Sequence, residues 1–325
     1  MEATALPTLR DQLLDRRRQL ESVAAASIGT DEIERLLETV DATLGRMNAG
    51  TFGLCATCHD PIESDRLLAD PLTQYCLDHL TPVEQRALQQ DLDLALRIQR
   101  ELLPRTEIAF DGWDIAYHYQ PAGPVSGDYC DLIPGCANDG YFLIGDVSGK
   151  GIAAAILMSH LSATLRTLIS LDLPLCDLIE RASRVFCETT LPNHYATLIC
   201  GHASPSGDVE LCNAGHPPPL LIRAGGEIER LEATGVPIGM FCHGEFASRT
   251  VRLASGDLLL LYTDGLVEAE NESGVEYGIE RLCALASSAK GRPKTVIDAC
   301  VRDLAAFRGA PAFRDDLTIL VVSRA

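Results

Sequence analysis

Apolar side chains return at helical intervals near the start of the chain, at Leu6, Leu9, Leu13, Leu20 and Val23. After a break at Ser27-Ile28-Gly29 the same spacing resumes through Ile33, Leu36, Leu37, Val40, Leu44 and Met47. Thr30 suits an N-cap, with Asp31 and Glu32 favourable in the first turn. Two helices across a short break predict an antiparallel hairpin; one bent helix is the alternative. A further helix is predicted over 82–103. Thr81-Pro82-Val83-Glu84 forms a capping box with proline at the first helical position, and Pro104 ends the pattern. Leu88, Ala95 and Leu102 fall seven apart with Leu92 and Ile98 between them. Such a seam suits a two-stranded coiled coil, and hence a homodimer, or a helix packed on its own domain.

Beyond residue 108 the period shortens. Strand-like runs read WDIAYHY, YFLIGDV, ATLICGH, VELCNA, PLLIR, GDLLLLYT and DDLTILVV. Helical stretches fall near 151–170, 176–190 and 278–307. Leu157, Leu161, Leu165 and Leu168 mark one face of the first, and Leu178, Ala182, Val185 and Phe186 mark the second. Strands before and after a central helix pair predict an α+β domain with mainly antiparallel sheet. The chain thus divides into 5–80, a linker helix over 81–104, and 108–325.

At 325 residues and 46% apolar content, the chain can bury more than one core. Its net charge of −19 gives no electrostatic attraction to nucleic acid or an anionic membrane and favours basic partners or metal ions. No apolar run approaches the roughly 18 residues of a membrane span. The first residues lack the basic–apolar–small order of a signal peptide. A soluble, cytoplasmic protein is expected.

Three of the twelve cysteines cluster at 55, 58 and 76. The other nine are scattered, several within apolar runs, and are expected to pack as small hydrophobes. Cys55-x2-Cys58 and, after 17 intervening residues, Cys76-x2-His79 offer two knuckles of soft donors that close a tetrahedron. That donor set suits Zn²⁺ and leaves no open position, so a structural site is expected. His59 competes as a ligand but is badly placed beside Cys58. The helical hairpin followed by GTFGLCATCHDPIESDRLL and QYCLDH resembles the DksA/TraR-type zinc finger family over residues 5–80. That resemblance implies the finger fold and RNA polymerase as a partner. Here the hairpin tip reads AAASIGTDEIE in place of the family's acidic tip, and His79 stands where the family has cysteine.

Hard divalent cations require oxygen ligands, mainly carboxylates, projecting from rigid backbone into one cleft. Asp128 lies in AGPVSGDYCD, Asp146 ends YFLIGD ahead of the turn Val147-Ser148-Gly149-Lys150-Gly151, Asp264 ends LLLLYTD, and Asp315-Asp316 precedes LTILVV. SGDYCD, GDVSGKG, NAGHPPPLL, GVPIGM, YTDGLVEA and DDLTIL occur in the order found in PPM-type phosphatases of the SpoIIE/RsbU class. The chain is similar to that class over 88–325. The resemblance implies an α-β-β-α sandwich around a Mn²⁺ or Mg²⁺ pair. Asp146 would bridge the two ions, the Val147 carbonyl would bind the second, Asp264 and Asp315 would hold the first, and Asp128 would sit close by through water. Asp316 would be a neighbour. Hydrolysis of phosphoserine or phosphothreonine on a partner protein of the STAS anti-sigma-factor-antagonist type would follow, by in-line attack of water without a phosphoenzyme. Ser148 stands where eukaryotic relatives place a histidine, and their phosphate-gripping arginine has no clear counterpart. Lys150 suits a solvent-facing helix start or a phosphate contact; His216 suits a turn or a base. The N-terminal module is expected to regulate the catalytic domain. The competing reading is an RNA-polymerase-associated binding regulator with a non-catalytic phosphatase-like domain.

Overall fold

The computed structural model describes residues 5–26, 31–80, 82–104, 110–135, 139–191, 193–288, 291–309 and 314–324. Thr30 and Thr81, both named above, lie outside the described residues, as does the break at 27–29. The chain forms two compact units, 1–91 and 92–325.

In the first unit, α1 (Ala5–Ala26) and α2 (Asp31–Asn48) pair, as the two apolar periodicities require. Leu9, Leu13, Val40 and Met47 are buried between them, with Leu20 and Leu44 partly so. A six-residue helix α3 (Ser64–Ala69) follows, and a second small core gathers Cys55, Ile62, Leu67 and Cys76. Helix α4 (Pro82–Leu102) crosses the division between units. Its seam residues Leu88 and Ile98 remain exposed, while Leu102 packs into the core of the second unit.

The second unit is built from β1 (Trp113–Gln120), β2 (Asp128–Pro134), β3 (Gly140–Val147), α5 (Gly151–Ile169), α6 (Leu175–Thr189), β4 (Ala196–Ala203), β5 (Asp208–Ala214), β6 (Leu220–Ile222), β7 (Ile228–Arg230), β8 (Arg249–Arg252), β9 (Leu258–Tyr262), α7 (Asp264–Val267), α8 (Ile279–Ser288), α9 (Pro293–Arg308) and β10 (Leu317–Arg324). Two five-stranded sheets run β1-β10-β9-β6-β7 and β2-β3-β4-β5-β8, with every strand pair antiparallel.

The near-continuous apolar strands have a simple cause, because both faces of each sheet are covered. Phe142 and Ile144 of β3 meet Leu259 and Leu261 of β9 and Leu320 and Val322 of β10 in a core between the sheets. The alternate residues Tyr141, Leu143 and Val147 face α5 and α6, where Met158, Leu161, Leu165, Leu178 and Phe186 are buried. On the other side Leu258, Leu260, Ile319 and Val321 face α8 and α9, around Leu282, Val296, Ile297 and Cys300. The period of two along each strand therefore assigns successive residues to successive layers, giving the α-β-β-α sandwich.

Four expectations change. The helix read over 278–307 is two helices, because Pro293 starts α9 after a glycine at 291. Residues 128–134 form a strand that the apolar runs did not reveal. Among the described residues, α5 does reach the length and hydropathy of a membrane span (19 residues, mean hydropathy 1.5). Its apolarity arises because Ala154, Met158, Leu161, Leu165 and Ile169 line a packed core. Cys187 and Cys242, read as packing residues, form a disulfide.

Candidate functional site

Antiparallel pairing explains why distant aspartates converge. The start of β2 and the end of β3 coincide, so Asp128 lies directly across from Asp146. The end of β9 and the start of β10 coincide likewise, with Tyr262 opposite Ile319, which brings Asp264 to Asp315 and Asp316. Cross-sheet hydrogen bonds join the two pairs. Thr263 Oγ1 (just after β9) donates to Asp128 Oδ2 at 3.0 Å, and Thr318 Oγ1 of β10 donates to the same oxygen. The Thr318 amide in turn donates to Thr263 Oγ1 at 2.9 Å.

Two glycines permit the close approach. A Cβ on Gly265 would fall 2.0 Å from the Asp316 carbonyl oxygen, so the Asp264 turn can touch the Asp315–Asp316 segment only without a side chain there. A Cβ on Gly127 would crowd the Val147 carbonyl oxygen at 3.1 Å and Asp146 Oδ1 at 3.3 Å. The Val147 carbonyl and the Asp146 carboxylate therefore face the same small opening.

The electrostatics follow from packing acids together. Burial raises the Asp146 carboxyl to about 7, and Asp264, Asp315 and Asp316 add repulsion. Burial, then Asp315, raises Asp264. Asp128, fully enclosed, is raised well above the usual carboxylate range by burial and then by Asp146. Lys150 opposes this repulsion. Its side chain is 68% exposed, yet Nζ donates to Asp315 Oδ2 at 2.8 Å and to the Arg314 carbonyl at 3.0 Å. Lys150 thus reaches the acids while its side chain stays largely in solvent.

The donor types are those that hard cations take. Several carboxylates and a backbone carbonyl face one opening with more negative charge than local cations balance. Asp316 is a neighbour: its oxygens accept from the Ala122 amide at 2.7 Å and the Gly127 amide at 2.9 Å, pinning the loop before Asp128. Among the described residues, the acids do not close to the spacing reached by the cysteine cluster below.

Some site residues lack a sequence signal of their own. Gln99 of α4 accepts from the Ser126 amide at 3.0 Å and donates to the Ser126 carbonyl at 2.6 Å, tying that helix to the Asp128 turn. A lone glutamine in a helical pattern announces nothing. Thr263 and Thr318 could have been flagged by their adjacency to Asp264 and Asp315–Asp316. His216 is buried and holds a turn: its amide donates to Asn213 Oδ1 at 2.8 Å, and its Nδ1 meets Thr197 Oγ1 at 2.9 Å. Ser148 Oγ accepts from the Tyr195 amide at 3.0 Å.

In the first unit, the ligand atoms of Cys55, Cys58, Cys76 and His79 all lie within 4.8 Å of one another. Burial opposes ionisation of Cys55, but the amides of Cys58 and Cys76 outweigh it and bring the thiol down to about 6. His59 sits in the left-handed region (φ 60°) outside the cluster.

The two-sheet antiparallel sandwich between helix pairs is shared with solved PP2C-type domains. The SiaA-PP2C domain of Pseudomonas aeruginosa shares the fold, with a TM-score of 0.65 at 20% identity over 75% of this chain and 99% of that one. Residues 138–325 match the family described as Stage II sporulation protein E (SpoIIE), and since that is more than half of the sequence, the chain belongs to this family. Residues 50–78 match the prokaryotic dksA/traR C4-type zinc finger. Similar proteins include the phosphoserine phosphatase RsbP of Bacillus subtilis, 30% identical over 55% of this chain and 46% of that protein. Protein IcfG of Synechocystis sp. is 26% identical over 72% of this chain and 41% of its own length. The chain thus spans less than half the length of both relatives.

Proposed function

We propose that the chain is a metal-dependent protein serine/threonine phosphatase acting on a phosphorylated regulatory protein, of the STAS anti-sigma-factor-antagonist type, in the cytoplasm. One observation carries the reading: Asp128 at the start of β2 lies across from Asp146 at the end of β3, and threonines beside Asp264 and Asp315–Asp316 reach across to hold the Asp128 carboxylate, so the acids gather at one place. Carboxylates gathered in this way suit divalent cations, which would offset their charge.

Asp146 would bridge a Mn²⁺ or Mg²⁺ pair, the Val147 carbonyl would bind one member, and Asp264 and Asp315 the other. Asp128 would act through water. Bound cations supply Lewis-acid charge to a phosphoryl group and acidify a water molecule. The chain's own residues set the geometry. Thr263 and Thr318 hold the Asp128 carboxylate, Asp316 holds the Gly127 turn, and Thr197 and Ser148 fix the backbone on either side of Val147. Lys150 is placed to move from Asp315 to a phosphate oxygen. Cys55, Cys58, Cys76 and His79 would hold a structural Zn²⁺, and the unit that contains them would regulate the phosphatase through α4, with the exposed seam of α4 pairing two copies. In the test, purified full-length protein with Mn²⁺ releases phosphate from a phosphoserine-bearing STAS protein and Asp146→Asn abolishes release. Equal rates for the two proteins would refute the assignment.

A further inference from the structure

Among the described cysteines of the second unit, Cys187 and Cys242 are the ones joined to each other, while Cys176 and Cys283 are half-buried and free. Cys130, Cys200, Cys212 and Cys300 are buried, and burial raises each thiol, to about 12 for Cys212 and Cys300. Such thiols do not react. Cys187, in the last turn of α6, is half-buried, and Cys242, in the turn after Ile238, is exposed. Their Cα atoms are 5.3 Å apart and the pair is disulfide-bonded across 55 residues of sequence.

The pair also closes a mechanical circuit to the acidic opening. Ile238 and Ala196 exchange both backbone hydrogen bonds, at 2.9 and 2.7 Å. Ala196 pairs with Val147 across β3 and β4, and the Ser148 amide donates to the Tyr195 carbonyl at 2.8 Å. From the same 235–242 segment, the Gly239 amide donates to Ser183 Oγ of α6 at 3.1 Å. One covalent bond therefore locks α6 to a segment that is hydrogen-bonded to the backbone beside Asp146.

The geometry points to Cys187–Cys242 as a reversible redox-modification site, oxidised by hydrogen peroxide and reduced by a dithiol, whose state sets the rigidity of the wall behind Val147. The exposed Cys242 thiolate attacks one peroxide oxygen. The O–O bond breaks, leaving a sulfenic acid and hydroxide, which leaves as water. The Cys187 thiolate then attacks the Cys242 sulfur, the S–O bond breaks, a second water leaves and the S–S bond forms. The two sulfurs lose the two electrons that the peroxide gains. A dithiol reverses the change through two exchange steps and becomes a disulfide itself. Accessible disulfides of this kind are the labile ones, and nothing in the inference depends on the hydrolytic reading.

The test uses the full chain, reduced with dithiothreitol, then treated with hydrogen peroxide, alkylated and mapped by mass spectrometry, with zinc content followed in parallel. The expected result is a crosslink between the peptides carrying Cys187 and Cys242, formed without zinc loss and reversed by dithiothreitol. Oxidation should raise the melting temperature of the second unit by roughly 5–15 °C, as closure of a loop this long implies. Amide exchange at Ser148, Ala196 and Ile238 should slow by roughly tenfold. The double variant C187S/C242S should show neither shift. Free thiols at both positions after peroxide would overturn the inference, as would equal shifts in the wild type and the double variant.

Discussion

His216 shows how a residue that invites a catalytic role can hold a structural one. Burial lowers its imidazole to about 3, and its ring and backbone are bound to Thr197 and Asn213. A base of that strength stays neutral at pH 7 and is a weak proton acceptor. The motif NAGHP made the residue visible in the sequence, but only packing discloses which way the ring faces. The pH consequence has a definite sign. An unfolded histidine titrates near 6.5, and the folded value lies below it. The stability that neutral His216 contributes is therefore fully present above about 6.5 and is lost as pH falls toward about 3, at up to about 1.4 kcal/mol per pH unit. The raised Asp128 and Asp146 act oppositely, losing stability as pH rises. Subtracting a His216→Gln variant from the wild type isolates the histidine. Urea unfolding of the metal-free proteins from pH 8 to pH 4 should show a shallower decline in the variant, and parallel curves would contradict this account.

At the scale of elements, the sequence displayed those strands whose two faces are both apolar. The run YFLIGDV announces β3, and GDLLLLYT announces β9, because helices cover one face and the other sheet covers the second. β2 escaped notice because its sequence, DYCDLIP, carries Asp128 and Asp131, and both are buried by specific partners. Asp131 accepts from Arg166 Nε and Nη2, each at 2.7 Å, and from Tyr129 Oη at 2.9 Å. A charge placed within a strand reads as a loop until its partner on α5 is known. β7 and β8 are three and four residues long and mostly exposed, so no period could establish itself. The Asp131–Arg166 pair pins β2 to α5, and Arg166→Ala should destabilise the second unit by about 2 kcal/mol. That is below the ~3–5 kcal/mol of a fully buried pair, since the arginine is half exposed. Chemical denaturation measures this loss, and adding Asp131→Asn should recover part of it.

For the whole molecule, the clustered Cys55, Cys58, Cys76 and His79 were legible from their spacing, whereas the aspartates, distant along the chain, stood out only as acids at strand ends within motifs that resemble a known class. What spacing could not reveal is the set of supports drawn from remote elements: Gln99, Thr197, Thr263 and Thr318 touch the site only after folding. The division at residue 91 also implies separable stabilities. The core of the first unit is small, so its fold should depend on the proposed zinc ion. Chelation at saturating Mn²⁺ should abolish one thermal transition and leave that of 92–325 within a few degrees of its starting value. Loss of both transitions together would show the units to be one cooperative body.

The central claim is that Asp146, Asp264 and Asp315 hold a cation pair. Anomalous diffraction at the manganese edge, on crystals grown with Mn²⁺, tests it most directly. Two peaks sharing Asp146 as a ligand, with Asp264 and Asp315 on one of them, are expected at ligand distances of about 2–2.6 Å. Absence of manganese at the acidic opening, or manganese bound there without Asp146, would contradict the account.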